Sequence, residues 1–281
     1  MLRTKHEEAY ALDTVAEDFR DADASAAGDR LVACLDFMNR LDAFRAYKRR
    51  SWELLAPSDG GRIADVACGV GFDAIEMAER WPRTRFVGVD RSAAFLAIAR
   101  ARAGALPNVE FAQADAKALG VPDASFDAAR MDRSLQHIEN PAAVVAELAR
   151  VVRPGGRIVI SEPDWDAFLI RGVEGRVTDT LVETWRSLFR NRRIGGELPG
   201  LMDDAGLVVE RVEAAALAFR TYQEARVVFD VEATLSRCVA EGRFSEDARR
   251  QWRDAAEAAS AKGRFVALLC IVTVLGRRSH A

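Results

Sequence analysis

The residues best placed to do chemistry in this chain are two glycines and the acids around them. Asp65 lies in a short apolar run, Ile63-Ala64-Asp65-Val66, followed by Ala67-Cys68 and by Gly69 and Gly71 on either side of Val70. That order reads as a strand, a tight turn and a helix starting at Phe72, and glycines in such a turn let a ligand approach bare backbone. About twenty residues further on, Arg85-Phe86-Val87-Gly88-Val89-Asp90 reads as a second strand ending in a carboxylate. An acid there can grip both hydroxyls of a ribose. The spacing points to a nucleoside site.

Other side chains fall where strands end. Asp115 comes just beyond a third strand, Val109 to Ala112, and Met131, Asp132 and Arg133 end a fourth, Phe126 to Met131. Ligands of open α/β sheets sit at the carboxyl ends of the strands, so these residues should border one. His137, one of three histidines, follows the fourth strand and could act as a base near neutral pH. Trp165, beyond a fifth strand Arg157 to Ser161, could wall a pocket. Arg190-Asn191-Arg192-Arg193 reads as a solvated helix end or as a site for an acidic substrate. Cys34, Cys68, Cys238 and Cys270 are scattered without zinc-site spacing, so no metal is expected.

The elements that position these groups alternate. After the break Pro57-Ser58-Asp59-Gly60-Gly61, strands and helices follow one another as far as Ser161, with Ser92 and Asn140-Pro141 as helix starts and Pro154-Gly155-Gly156 as a turn. Such a rhythm implies a parallel sheet covered by helices on both faces. Glu7 to Leu55 reads as helical. Val173 to Phe189 and Leu198 to Asp204 read as helices, and Leu207 to Phe219 as a sixth strand with a bulge or break. Tyr222 to Ala261 is helical in two or three pieces, and Phe265 to Gly276 is a seventh strand. The expected fold is α/β, a Rossmann-like, mostly parallel, seven-stranded sheet with helical caps. The segments are an N-terminal cap (1–56), a core (57–165), a cap insertion (166–205) and the completion of the core (206–281).

Composition is ordinary for a globular protein, 49% hydrophobic and 30% charged. With 40 basic and 43 acidic residues the net charge is −3, so no global positive field draws in nucleic acid. Met1 to Asp21 lacks the apolar core of a secretory signal, and Phe265 to Leu275 is too short to span a bilayer. The expectation is a cytoplasmic protein, monomer or homodimer, with a small-molecule substrate and neither nucleic-acid nor membrane partners.

Taken in order, these motifs resemble the class I S-adenosylmethionine-dependent methyltransferases, closest to the small-molecule branch described as ubiquinone/menaquinone-biosynthesis-like. Asp65-Val66-Ala67-Cys68-Gly69-Val70-Gly71 is similar to the family's glycine-rich motif, with Ala67 in place of its first glycine. Val89-Asp90-Arg91-Ser92 is similar to its ribose-binding acid, and Ala114-Asp115-Ala116 to its adenine segment. Leu135-Gln136-His137-Ile138 with Pro141, and Leu148 to Pro163 through Arg153-Pro154-Gly155-Gly156, match its later motifs. The likeness runs from about Tyr47 to Pro163, with a weaker stretch at Phe265 to Arg277.

The resemblance implies S-adenosyl-L-methionine as cofactor and a seven-stranded sheet with its last strand antiparallel. It implies that Asp65 orients the cofactor's ammonium, that Ala67, Gly69 and Gly71 pass close to its methionine part, and that Asp90 holds the ribose. Asp115 and Ala116 would meet the adenine, with Arg91 covering it. Tyr47 would reach the cofactor from the N-terminal cap. Met131, Asp132 and Arg133 would border the cofactor and methyl, and His137 and Trp165 the acceptor, with His137 as general base. The implied activity is in-line methyl transfer to an oxygen, nitrogen or carbon of a small acceptor in secondary-metabolite or quinone-type biosynthesis. The alternatives are a cofactor-binding protein of this fold that acts as a cyclase or binding subunit, a macromolecular methyltransferase, and a nicotinamide dehydrogenase. Gly69-Val70-Gly71-Phe72-Asp73-Ala74 fits the last formally, but the chain has no Tyr-x-x-x-Lys.

Overall fold

A computed structural model of the chain describes residues 14–19, 23 and 28–280. The charged start Met1 to Asp21 and the beginning of the helical stretch expected from Glu7 therefore fall largely outside the described residues. The helices are α1 (Val15–Asp18), α2 (Gly28–Arg40), α3 (Asp42–Leu55), α4 (Phe72–Arg80), α5 (Ala93–Ala103), α6 (Pro141–Val151), α7 (Arg176–Ser187), α8 (Ile194–Asp204), α9 (Tyr222–Val228), α10 (Val231–Ala240) and α11 (Glu246–Ala261). The strands are β1 (Arg62–Val66), β2 (Arg85–Asp90), β3 (Val109–Gln113), β4 (Phe126–Asp132), β5 (Val152–Arg171), β6 (Leu207–Phe219) and β7 (Val266–Arg278). They form one seven-stranded sheet in the order β3-β2-β1-β4-β5-β7-β6, as expected for a Rossmann-like α/β fold. The pairs β1–β2, β1–β4, β2–β3 and β4–β5 are parallel.

The chain divides into two compact units. The first, a sheet unit, comprises Asn39–Pro163, Arg193–Ala215 and Ile271–Ala281. Alternation along its strands sends neighbouring residues to opposite faces. Ile63, Phe86, Ala128 and Val159 pack against Trp52, Leu54 and Leu55 of α3 and Met77 and Ala78 of α4. Ala64, Val87, Ala129 and Ile158 share a core with Val144, Val145 and Leu148 of α6 and Ile194, Leu198 and Met202 of α8. Residues 39–55 and 193–205 thus lie in the sheet unit, where the sequence suggested caps.

The second unit comprises the described residues up to Met38, Asp164–Arg192 and Ala216–Cys270. An aromatic cluster fills it. Trp165 stacks on Phe189 with ring centroids 4.1 Å apart, and Trp185, Phe168 and Phe229 meet it edge-on. Asp230 accepts the Val15 N–H at 2.9 Å, and Arg237 pairs with Glu17 at 2.7 Å, so α1 is tied to α10.

Local signals explain most element ends. Ser92 Oγ accepts the Phe95 N–H at 3.0 Å and Asn140 Oδ1 that of Ala143 at 3.1 Å, so α5 and α6 are capped by the residues the sequence suggests. The fifth strand is the largest difference. In place of a turn at Pro154-Gly155-Gly156 followed by five strand residues, β5 runs unbroken over 20. The glycines form an irregularity inside it, where the register against β4 shifts between Phe126 and Ala128 and Gly155 takes φ +75°. Similarly, β6 is one continuous strand. Among the described residues no helix is long and apolar enough to cross a membrane.

Candidate active site

The sheet order reverses at β1, which has β2 on one side and β4 on the other. Ligands of open α/β sheets bind in the crevice outside the strand ends at such a point. Here the glycine turn leaves β1. Cys68 N–H donates to Val89 O and Gly71 N–H to Cys68 O, both at 3.0 Å. Gly69 and Gly71 take φ +55° and +83°, the left-handed region that glycine enters freely. A Cβ on Gly71 would also come within 2.8 Å of the Ala99 Cβ. Ala67 has φ +57°, so the residue in the place of a glycine carries backbone strain of about 1–2 kcal/mol.

Asp90 braces this turn. Its Oδ2 accepts the Gly69 N–H at 2.7 Å and its Oδ1 the Ser92 N–H at 2.9 Å. Burial raises its carboxyl above the usual range, against the pull of these donors. A carboxylate has about four acceptor positions, so capacity remains for hydroxyl donors. Asp90 O also accepts the Ala114 N–H at 3.1 Å, which joins the end of β3 to the site. Beyond it, Asp115 is exposed and folds back on the Lys117 N–H at 2.8 Å. Ala116 is half-buried against the α6-side core, and Arg91 is exposed.

A buried ion cluster lies at the ends of β1 and β4. Arg130, 1% exposed, reaches Asp65 Oδ1 at 2.8 Å and Asp73 at 3.2 Å. Lys48 reaches Asp73 at 2.8 Å and Asp132 at 3.7 Å. Tyr47 donates its hydroxyl to Asp132 at 3.0 Å. Burial pushes the Asp65 carboxyl up to about 6, although Arg130 pulls it the other way. Burial opposes ionisation of Asp73 too, but Arg130 and Lys48 together draw it down to about 2. Burial raises the Tyr47 hydroxyl far above its usual range, so it stays a donor. Charges this deep persist only when paired.

The segment after β4 is held from β5. Glu162, fully buried, accepts the N–H groups of Ser134 at 2.7 Å, Leu135 at 2.6 Å and Gln136 at 3.4 Å. Burial pushes its carboxyl up to about 8 despite these donors. Arg133 takes φ +50° and sets its guanidinium 4.7 Å from the centroid of the Phe44 ring. His137 is half-buried at the end of the short turn Leu135–His137.

Hydrogen bonds and ion pairs thus link Gly69 to Asp90, and Tyr47 and Arg133 to Asp132. Met131 stands apart. It alternates with Arg130 and Asp132 and is wholly buried in the apolar core on the α6 side. Trp165 belongs to the other unit, with its ring in that unit's aromatic cluster. Arg192 is paired with Asp166 and Glu183 there. Sequence reasoning missed Arg130. The available signal was an arginine inside the apolar strand Phe126 to Met131, where a charge requires buried partners.

A sheet with its switch point at β1, a left-handed glycine turn and a bracing acid at the end of β2 define a nucleoside-binding α/β protein. Residues 63–156 match the family described as "Methyltransferase domain". The demethylmenaquinone methyltransferase of Thermus thermophilus is 39% identical over 131 residues, 45% of this chain and 60% of that protein. The trans-aconitate 2-methyltransferase of an Azoarcus species is 32% identical over 194 residues, 59% of this chain and 72% of that one. The phosphoethanolamine N-methyltransferase 2 of Haemonchus contortus, solved with S-adenosylhomocysteine, superposes with a TM-score of 0.59 at 15% identity, over 93% of this chain and 60% of that one. The last likeness shows the fold.

The chain belongs to the class I S-adenosylmethionine-dependent methyltransferases. Its residues fit that cofactor on a direct observation. Asp65 Oδ2 is buried with no hydrogen-bond partner among the described residues, an acceptor suited to an ammonium.

Proposed function

We propose that this chain methylates a small organic acceptor at an oxygen, nitrogen or carbon, in secondary-metabolite or quinone-type biosynthesis. The observation that carries the reading is the Asp90 brace on Gly69, which fixes an acid and a bare turn side by side at the switch point. The sequence likeness to demethylmenaquinone and trans-aconitate methyltransferases supports a small acceptor.

S-adenosylmethionine, when bound, supplies an electrophilic methyl on a sulfonium. The chain's residues bind, orient and exclude water. Asp65 takes the ammonium, and the Gly69–Gly71 backbone lets the amino-acid part come close. Asp90 accepts from the ribose hydroxyls. Asp115 and the Ala116 N–H meet the adenine, and Arg91 covers it. Tyr47 and Arg133 hold Asp132 at the border of the acceptor space. His137 takes a proton from an acceptor that carries one.

The test is incubation of the purified protein with methyl-labelled cofactor and a panel of small carboxylic acids, quinols and amines. Acceptor-dependent release of S-adenosylhomocysteine is the expected result. A transformed acceptor without that by-product would replace the reading with that of a cyclase.

A further inference from the structure

We propose that Arg130 is a positioning residue of the cofactor site, holding Asp65 oriented and ionised so that its second carboxylate oxygen can receive the cofactor's ammonium. This rests on the role given to Asp65 above. Arg130 and Asp65 are register partners in the adjacent strands β4 and β1. Yet the guanidinium is not a simple counter-ion for one acid. It faces carboxylates from three elements: Asp65 of β1 at 2.8 Å, Asp73 of α4 at 3.2 Å and Asp132 of β4 at 3.7 Å. Its Nε donates to Ser51 Oγ of α3 at 3.3 Å, and Ser51 Oγ in turn donates to Lys48 O at 2.7 Å. These contacts leave the guanidinium little freedom, and Asp65 Oδ1 is fixed with it.

The same contacts leave Asp65 Oδ2 buried and without a partner among the described residues. The charged and titratable groups around the pair are Lys48 and Tyr47 on α3, Asp73 on α4, Cys68 on the turn after β1, Asp132 on β4 and Arg133 just beyond it. Of the cations, Lys48 is committed to Asp73 at 2.8 Å and Arg133 lies beside Asp132 at 3.5 Å. Among the described residues Arg130 is the cation that pairs with Asp65. Without it, a buried acid with two carboxylates nearby takes up a proton near neutral pH and no longer attracts an ammonium.

The test is calorimetric titration with S-adenosylhomocysteine, which carries the ammonium but no transferable methyl, between about pH 5 and pH 8, with each variant compared with the wild type at the same pH so that titration of the ligand's own amino group cancels. The proteins are the wild type, Arg130→Gln, Arg130→Lys and Asp65→Asn, each checked for folding by its melting transition. Wild-type affinity should fall as pH drops through about 6, where Asp65 protonates. In Arg130→Gln that midpoint should move up by about one pH unit, with affinity about threefold weaker at pH 6.5 and largely regained by pH 8. Arg130→Lys should move it less, and Asp65→Asn should abolish it. If Arg130→Gln does not fold, the smaller shift in Arg130→Lys decides. Folded variants that keep the wild-type midpoint, whether or not they bind more weakly throughout, would reduce Arg130 to a packing role and overturn the proposal. A folded wild type that does not bind the probe would overturn the assignment of Asp65 itself, which is a separate result.

Discussion

Asp90 Oδ2 accepts the Gly69 N–H at 2.7 Å, so the acid that ends β2 fixes the turn that leaves β1. One carboxylate shapes the glycine turn and, in the function proposed above, offers its remaining lone pairs to a ribose. Asp90→Ala should therefore do two things. It should weaken cofactor binding at least about tenfold, and it should lower stability by about 1–3 kcal/mol because a half-buried N–H loses its acceptor. Calorimetry and urea unfolding read the two effects. Unchanged affinity would remove Asp90 from the ribose site.

Ala67 gives an unusual prediction. Ala→Gly ordinarily costs stability because glycine has more freedom to lose. At φ +57° the alanine is already strained, so Ala67→Gly should be neutral or stabilising by up to about 1 kcal/mol. The control is the exposed Ala97→Gly inside α5, which should cost about 1 kcal/mol. A similar loss in both would mean that Ala67 is not strained.

Gly71→Ala should behave in the opposite way. The residue has φ +83°, and an added Cβ would meet Ala99 at 2.8 Å and the Phe111 ring at 3.1 Å. A loss of about 2 kcal/mol or more is expected from strain and overpacking together. A variant as stable as the wild type in urea would contradict this.

Glu162 supplies a pH signature. Burial puts its folded-state value at about 8, above its ordinary 4.5. Between these values the folded protein keeps a proton that the unfolded chain releases, so the group costs stability as pH rises through the window. Glu162→Gln cannot titrate. Its stability relative to wild type should therefore improve, by an amount on the order of a few kcal/mol, from pH 5 to pH 8. Urea unfolding at the two pH values checks this, and a constant difference would contradict it.

His137→Ala should slow turnover more than it weakens acceptor binding, if the imidazole takes a proton during transfer. The comparison is kcat against KM with the acceptor found in the labelled assay. Unaltered turnover returns His137 to a packing role.

Much of the framework around the candidate site was legible because it depends on local backbone. The run Ile63–Val66 lies in β1 and α4 begins at Phe72, as expected, and Ser92 and Asn140 cap the helices they precede. Such signals act within a few residues. What was hidden depends on long-range partners. Pro154-Gly155-Gly156 looks like a turn in isolation, but pairing with β4 absorbs it as an irregularity of a longer strand. Arg130 is explained only by Asp65 and Asp73, which are 65 and 57 positions earlier in the chain. Met131 is the next-to-last residue of β4, and the period of two turns its side chain to the core while Arg130 and Asp132 join the ion cluster.

The most direct measurement is titration of the purified chain with S-adenosylmethionine itself, followed by heat or by intrinsic fluorescence. Saturable binding at one site per chain, largely lost in Asp90→Ala, is the predicted result. No binding by the folded wild type, or equal binding by both proteins, would contradict the account at its centre.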